Sequence, residues 1–188
     1  MLIGFAGPMF SEKTARLIEQ YNNSKVDTLM VKPISDTRHK TTPGFASGYV
    51  CSRNGERAPA FETDNLTEIE LDSSLKELYI DEAWLYPIES LRHISNLSTK
   101  IDIYCTFLSS LANGDYHPSI DCLFHVCDKI HHLKAKCFTC GKSASKTADI
   151  SKSSDKIRIG DAGYAPMCSA HYYLNLVGKT LANKESEC

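Results

Sequence analysis

The apolar run of residues 2–6 passes directly into "GPMFSEKT", Gly7 to Thr14, and then into a helical pattern with Leu17, Ile18 and Tyr21 on one face. Asn22-Asn23-Ser24 stops that pattern, and Thr28-Leu29-Met30-Val31 reads as a second buried strand. Strand, helix and strand within about thirty residues make a βαβ unit, whose helix carries the chain back so that both strands run the same way. The first element of the fold is therefore a parallel sheet with a helix on its face.

The loop inside this unit nearly spells the phosphate-binding pattern G-x-x-x-x-G-K-[ST]. Gly7, Lys13 and Thr14 hold their places, and Glu12 stands where the second glycine belongs. Such a loop wraps phosphates with backbone N–H groups at a helix N-terminus. Its lysine offsets the negative charge and its hydroxyl reaches Mg²⁺. A second signal supports it: the apolar residues 75–80 end in Asp81-Glu82, where a Walker-B aspartate would approach the metal. Taken singly, these are a surface turn and a solvated strand end. Together they favour a nucleotide site.

Further along, residues 35–48 are rich in Thr, Gly and Pro and read as a mobile loop. Residues 49–51 and 58–61 flank the turn "SRNG" and can pair as short strands. Helices are expected over 88–97, after Pro87, and over 118–126, with a strand over 101–107 between them. Residues 129–136 extend toward a cysteine pair, 142–156 read as a polar flexible loop, and 169–182 close the chain as a helix. The expected fold class is α/β, a parallel P-loop-type sheet flanked by helices over 1–133, followed by a small metal-held module over 134–188.

Composition excludes some functions. A net charge of −2 with scattered basic residues gives no footprint for nucleic acid. No window approaches the roughly 18 apolar residues of a membrane span, and the N-terminal residues lack a leader pattern, so a cytoplasmic location is expected. In that reducing compartment, eight cysteines point to metal binding before disulfides. Cys51, Cys105, Cys122 and Cys127 lie in apolar surroundings and read as small buried side chains, and Cys188 is terminal. Cys137-x-x-Cys140 and Cys168-x-x-His171, separated by 27 residues, are paired ligands suited to tetrahedral Zn²⁺. Three thiolates and an imidazole leave no open position, so the zinc is expected to be structural. The adjacent His131 and His132 face opposite ways on a strand and are read as non-ligands.

"GPMFSEKT", "KPISDTRH", "SRNG", "YIDEAW", "CFTC", "IGDAGYAPMC" and "CSAH" occur in an order and spacing that resemble the type II, zinc-containing thymidine kinases, and the bacterial and phage branch most. The resemblance runs from residue 2 to about residue 176. It implies that Gly7, Met9, Ser11, Lys13 and Thr14 bind ATP and its phosphates. Thr14, Asp36 and Asp81 would attend Mg²⁺, and Arg38 would meet the transferring phosphoryl group. Glu82 would be the base that takes the 5′-hydroxyl proton of thymidine. Met9 and Leu108 would line the base pocket, although by residue type they fit a core equally well. Tyr164, on the loop before Cys168, would cover the nucleoside. The family also implies a homotetramer.

Three positions depart from the family pattern. Glu12 replaces a glycine, Ala83-Trp84-Leu85 replaces Ala/Gly-Gln-Phe, and Ala112 stands where a phenylalanine usually packs on thymine. Trp84 or Tyr86 is a candidate to fill that gap. An ATP-dependent thymidine kinase is the expected function. A catalytically inactive relative that binds a nucleotide or a protein is the alternative.

Overall fold

The computed structural model describes residues 1–40, 44–69, 72–151 and 162–186. β1 (Leu2–Gly7), α1 (Lys13–Asn23) and β2 (Thr28–Lys32) form the opening unit. β1 is buried along its whole length, as a strand covered on both faces must be. A 3-10 turn at Thr37–Lys40 follows, and then β3 (Tyr49–Cys51) and β4 (Arg57–Pro59) make an antiparallel hairpin around "SRNG". The expected strand over 58–61 divides in two. Its second part, β5 (Phe61–Glu62), leaves the hairpin and pairs in parallel with β2. Of the expected loop 35–48, residues 41–43 lie outside the described residues.

β6 (Glu77–Ile80), α2 (Ile88–Leu97), β7 (Asp102–Leu108), α3 (Pro118–Val126) and β8 (Lys129–His132) complete the central sheet. Pro118 is pre-set for the first turn of α3, where a missing N–H costs nothing. The strand order is β5-β2-β6-β7-β1-β8, and all neighbouring pairs are parallel. Side chains alternate across this sheet with the two-residue period of a strand. Phe5, Met30 and Tyr79 meet Leu17 and Ile18 of α1 on one face. Leu2, Ala6, Ile80 and Phe107 meet Leu91, Ile94, Ile120 and Leu123 of α2 and α3 on the other. His131 and His132 obey the same rule. One stacks on Phe5 at 5.4 Å and the other on Phe124 at 6.1 Å, so neither turns toward the cysteines.

β9 (Ala135–Lys136) pairs with β10 (Ser143–Ala144), and β11 (Lys146–Asp149) with β12 (Tyr164–Met167); α4 (Ser169–Ser186) follows. Expected loop 142–156 is thus corrected in its first part, where β10 and β11 form, while 152–156 lie outside the described residues. Ala144, Ala148, Ala165 and Met167 pack with Cys137 and Tyr172 into a small second core. Alanines make that core, so the segment looked polar. α4 runs four residues beyond the expected end at 182. No helix among the described residues is long and apolar enough to cross a membrane.

Because the sheet strands are parallel, β1, β2, β6 and β7 deliver Gly7, Lys32, Ile80 and Leu108 to one edge. Ligands of open α/β sheets bind beyond that carboxyl edge.

Candidate active site and metal centre

The loop 7–14 starts where the chain leaves β1. A Cβ on Gly7 would lie 2.6 Å from Ser11 Oγ and 2.7 Å from the Leu133 carbonyl oxygen, so the tight return requires glycine. The loop then passes through two left-handed residues, Phe10 at φ 64° and Glu12 at φ 61°. A glycine would adopt this backbone without penalty, and a side chain costs about 1–2 kcal/mol there. Glu12 is solvent-exposed, whereas Ser11 and Lys13 on either side of it are buried. Ser11 Oγ and Lys13 Nζ both donate to the Pro8 carbonyl, at 2.8 and 2.7 Å. Burial pulls the Lys13 ammonium from 10.5 down to about 8, against the pull of Glu82 and Asp81, which leaves it charged at neutral pH.

Beyond β6, the acids meet one arginine. Arg38 grips Asp36 with two bonds, Nε to Oδ1 at 2.7 Å and Nη2 to Oδ2 at 2.8 Å. The same guanidinium reaches Asp81 Oδ2 at 3.3 Å and Glu82 Oε1 at 3.0 Å. Burial works to discharge Arg38, but these three carboxylates together hold it protonated. Burial also pushes Asp36 upward, yet the bond and charge of Arg38 prevail and keep it below the usual carboxylate range. Asp81 moves the other way: burial and the neighbouring Glu82 charge raise it despite Arg38. Its Oδ1 accepts from Thr106 Oγ1 at 2.6 Å and Thr14 Oγ1 at 3.1 Å.

Glu82 begins the 3-10 turn Ala83–Leu85 with a left-handed backbone, φ 49°. Its N–H donates to Thr106 Oγ1 at 2.9 Å, so one buried threonine fixes both acids of the pair. The indole N–H of Trp84 donates to Glu82 Oε2 at 2.7 Å.

A cavity of about 270 Å³ opens at this edge. Met9, Ser11, Lys13, Thr14, Asp36, Arg38, Glu82, Leu108 and Tyr164 all border it, while Gly7 and Asp81 lie behind Ser11 and Thr14. The structure therefore brings together the residues singled out in the sequence, and Met9 and Leu108 lie on the cavity wall. Trp84 and Ala112 border the cavity as well. Tyr86 instead lies in the core, and its buried hydroxyl has no hydrogen-bond partner among the described residues.

Among the residues that escaped the sequence reading are Thr106 and Thr147. Thr106 is a polar residue in the apolar run 103–107, which is a usable signal. Thr147 carried none: on β11, it accepts the Met9 N–H at 2.8 Å and ties the phosphate loop to the C-terminal module.

In that module, Cys137, Cys140, Cys168 and His171 place one donor atom each within 4.8 Å of one another. Sulfur-to-Nδ1 distances are 3.6 Å from Cys137 and 3.2 Å from Cys168, and Cys140 and Cys168 sulfurs lie 3.9 Å apart. Tetrahedral zinc with Zn–S of about 2.3 Å requires sulfurs about 3.8 Å apart, so the set could bind zinc with little adjustment. The Cys168 N–H, helped by those of Cys140 and Thr139, lowers the Cys137 thiol to about 6, toward the thiolate a metal needs. Of the remaining cysteines, Cys51 and Cys105 are buried, Cys122 and Cys127 half-buried, and Cys188 lies outside the described residues.

The chain matches the thymidine kinase family model over residues 1–172, a span holding the sheet, the phosphate loop and all four cluster residues. The thymidine kinase of Mycoplasma genitalium is 29% identical over 180 residues, covering 88% of this chain and 80% of that protein. That of Mycoplasma mobile is 28% identical over 171 residues, covering 86% and 82%. A thymidine kinase of Thermococcus kodakarensis is 28% identical over 152 residues, covering 75% and 74%. With a matching family model across nearly its whole length and the fold and cluster described above, this chain belongs to the thymidine kinase family.

Proposed function

We propose that the chain transfers the γ-phosphoryl group of ATP to the 5′-hydroxyl of thymidine. The observation that carries this reading is the convergence of Lys13, Thr14, Arg38 and Glu82 on one edge and one cavity, with Asp81 directly behind them. The phosphates would sit against the loop 7–14 and the N-terminus of α1, where among the described residues no side chain caps the first turn. Lys13 and Arg38 would offset charge on the transferring group. Glu82 would orient the acceptor hydroxyl and take its proton, work that needs geometry more than basicity. Met9, Leu108 and Tyr164 would enclose the nucleoside.

Mg²⁺ arriving with ATP would neutralise phosphate charge and would be held by Thr14 and Asp81, with Asp36 close by. The 3.1 Å between Thr14 Oγ1 and Asp81 Oδ1 suits two oxygen ligands of one small, hard cation. Zinc would be structural, anchoring β12 and the loop before it. The same reading takes 1–133 as the nucleotide-binding domain and 134–188 as the zinc and substrate-loop module. It also takes the family's homotetramer and cytoplasmic location.

An assay of the purified chain with ATP, Mg²⁺ and thymidine tests this directly. Thymidine monophosphate is expected, with Glu82→Gln lowering kcat about a hundredfold or more while the chain stays folded. A well-folded, metal-loaded chain without turnover would overturn the kinase and favour the binding-module alternative.

A further inference from the structure

Trp84 looks at first like a core residue. It is 7% exposed, packs within the sheet–α2–α3 core, and presents its ring edge to His117 at 5.3 Å and 78°. Packing alone would be served by phenylalanine. Packing does not account for the indole N–H, which points at a carboxylate on the cavity wall. It donates to Glu82 Oε2 at 2.7 Å while Arg38 Nη1 pairs by charge with Oε1 at 3.0 Å, so the two oxygens of one acid have different partners.

That arrangement answers a difficulty of a glutamate base. A free glutamate side chain samples many rotamers, and a base must face one direction to receive a proton. An ion pair constrains distance more than direction, and the directional bond from the indole N–H stops the carboxylate from pivoting about Oε1. The indole is neutral and donor-only, so it orients Glu82 without bringing a second positive charge that would make the carboxylate a poorer acceptor. Each oxygen retains a further lone-pair direction for the substrate hydroxyl.

We propose that Trp84 is a positioning residue for phosphoryl transfer, its indole N–H locking the Glu82 carboxylate toward the acceptor hydroxyl. This rests on the reading of Glu82 as the base. Two substitutions separate donor from ring. Trp84→Phe keeps an aromatic ring and loses the N–H. Trp84→Gln loses the ring and keeps an N–H donor the same number of bonds from Cα.

The expected result is a kcat about tenfold lower for Trp84→Phe, with KM for ATP within about twofold of the native chain. Trp84→Gln should recover at least about threefold over Trp84→Phe, despite poorer packing. If activity follows the ring instead, with Trp84→Phe near native and Trp84→Gln low, the inference is overturned. Equal losses in both variants, with KM values rising in parallel, also overturn it and assign Trp84 to packing.

A second measurement does not depend on activity. Trp84 is the chain's single tryptophan, so its emission reports the surroundings of this one ring. Glu82→Ala should shift that emission, and Glu89→Ala, on the exposed side of α2, should not. Unchanged emission in Glu82→Ala overturns the contact. A native chain without turnover overturns the kinase reading and this inference together. An active native chain with undiminished Trp84→Phe overturns this inference alone.

Discussion

Glu12 shows how one residue can contradict a motif and still fit the fold. The position demands a left-handed backbone, and the chain supplies it with a glutamate at φ 61°. Because Glu12 is exposed, its charge acts on a bound phosphate through a water-like dielectric, at about 1 kcal/mol for a 4 Å separation. Glu12→Gly should therefore tighten ATP binding up to about fivefold, read by calorimetric titration, and leave thermal stability within about 1 kcal/mol. Stability stays close because the strain relieved is offset by the added freedom of an unfolded glycine. A weakened ATP affinity in this variant would mean that the carboxylate assists the loop. At this scale, residue types were legible in the sequence and their directions were not. Asp36, Arg38, Asp81 and Glu82 could be named from the motifs. The meeting of three acids on one guanidinium depends on a 3-10 turn and on the left-handed Glu82, neither of which leaves a spacing signal.

Two helices were readable to the residue. α2 and α3 occupy the spans expected of them because Pro87 and Pro118 mark their starts and apolar residues recur at helical spacing. β10 and β11 were missed because they are short and built on alanine and threonine, so neither length nor apolar alternation announces them. Yet β11 bears on the phosphate loop. Thr147→Val keeps the shape and removes the acceptor of the Met9 N–H, leaving a part-buried donor unpaired. The expected cost is about 1–2 kcal/mol of stability, seen as a lower Tm, together with weaker ATP binding. A variant with native Tm and native ATP affinity would show that β11 merely rests against the loop.

Across the whole molecule, two cores of unequal size share one site. The sheet core is extensive, whereas the module's core is mostly alanine and cysteine, too small to hold itself without a cross-link. Metal analysis should find one zinc per chain after dialysis. Stripping it with a chelator should open residues beyond 133 to protease while the sheet stays resistant. A dialysed, metal-free chain that remains folded and resistant throughout would overturn the four-ligand assignment. The arrangement around Arg38 has a different kind of consequence, for how this protein can change over generations. One guanidinium bridges acids that follow two different strands, so losing any one partner leaves the others miscompensated. Substitutions among Asp36, Arg38, Asp81 and Glu82 will be strongly non-additive, and double-mutant cycles should show it. A tolerated change at one of the four therefore calls for a compensating change at another.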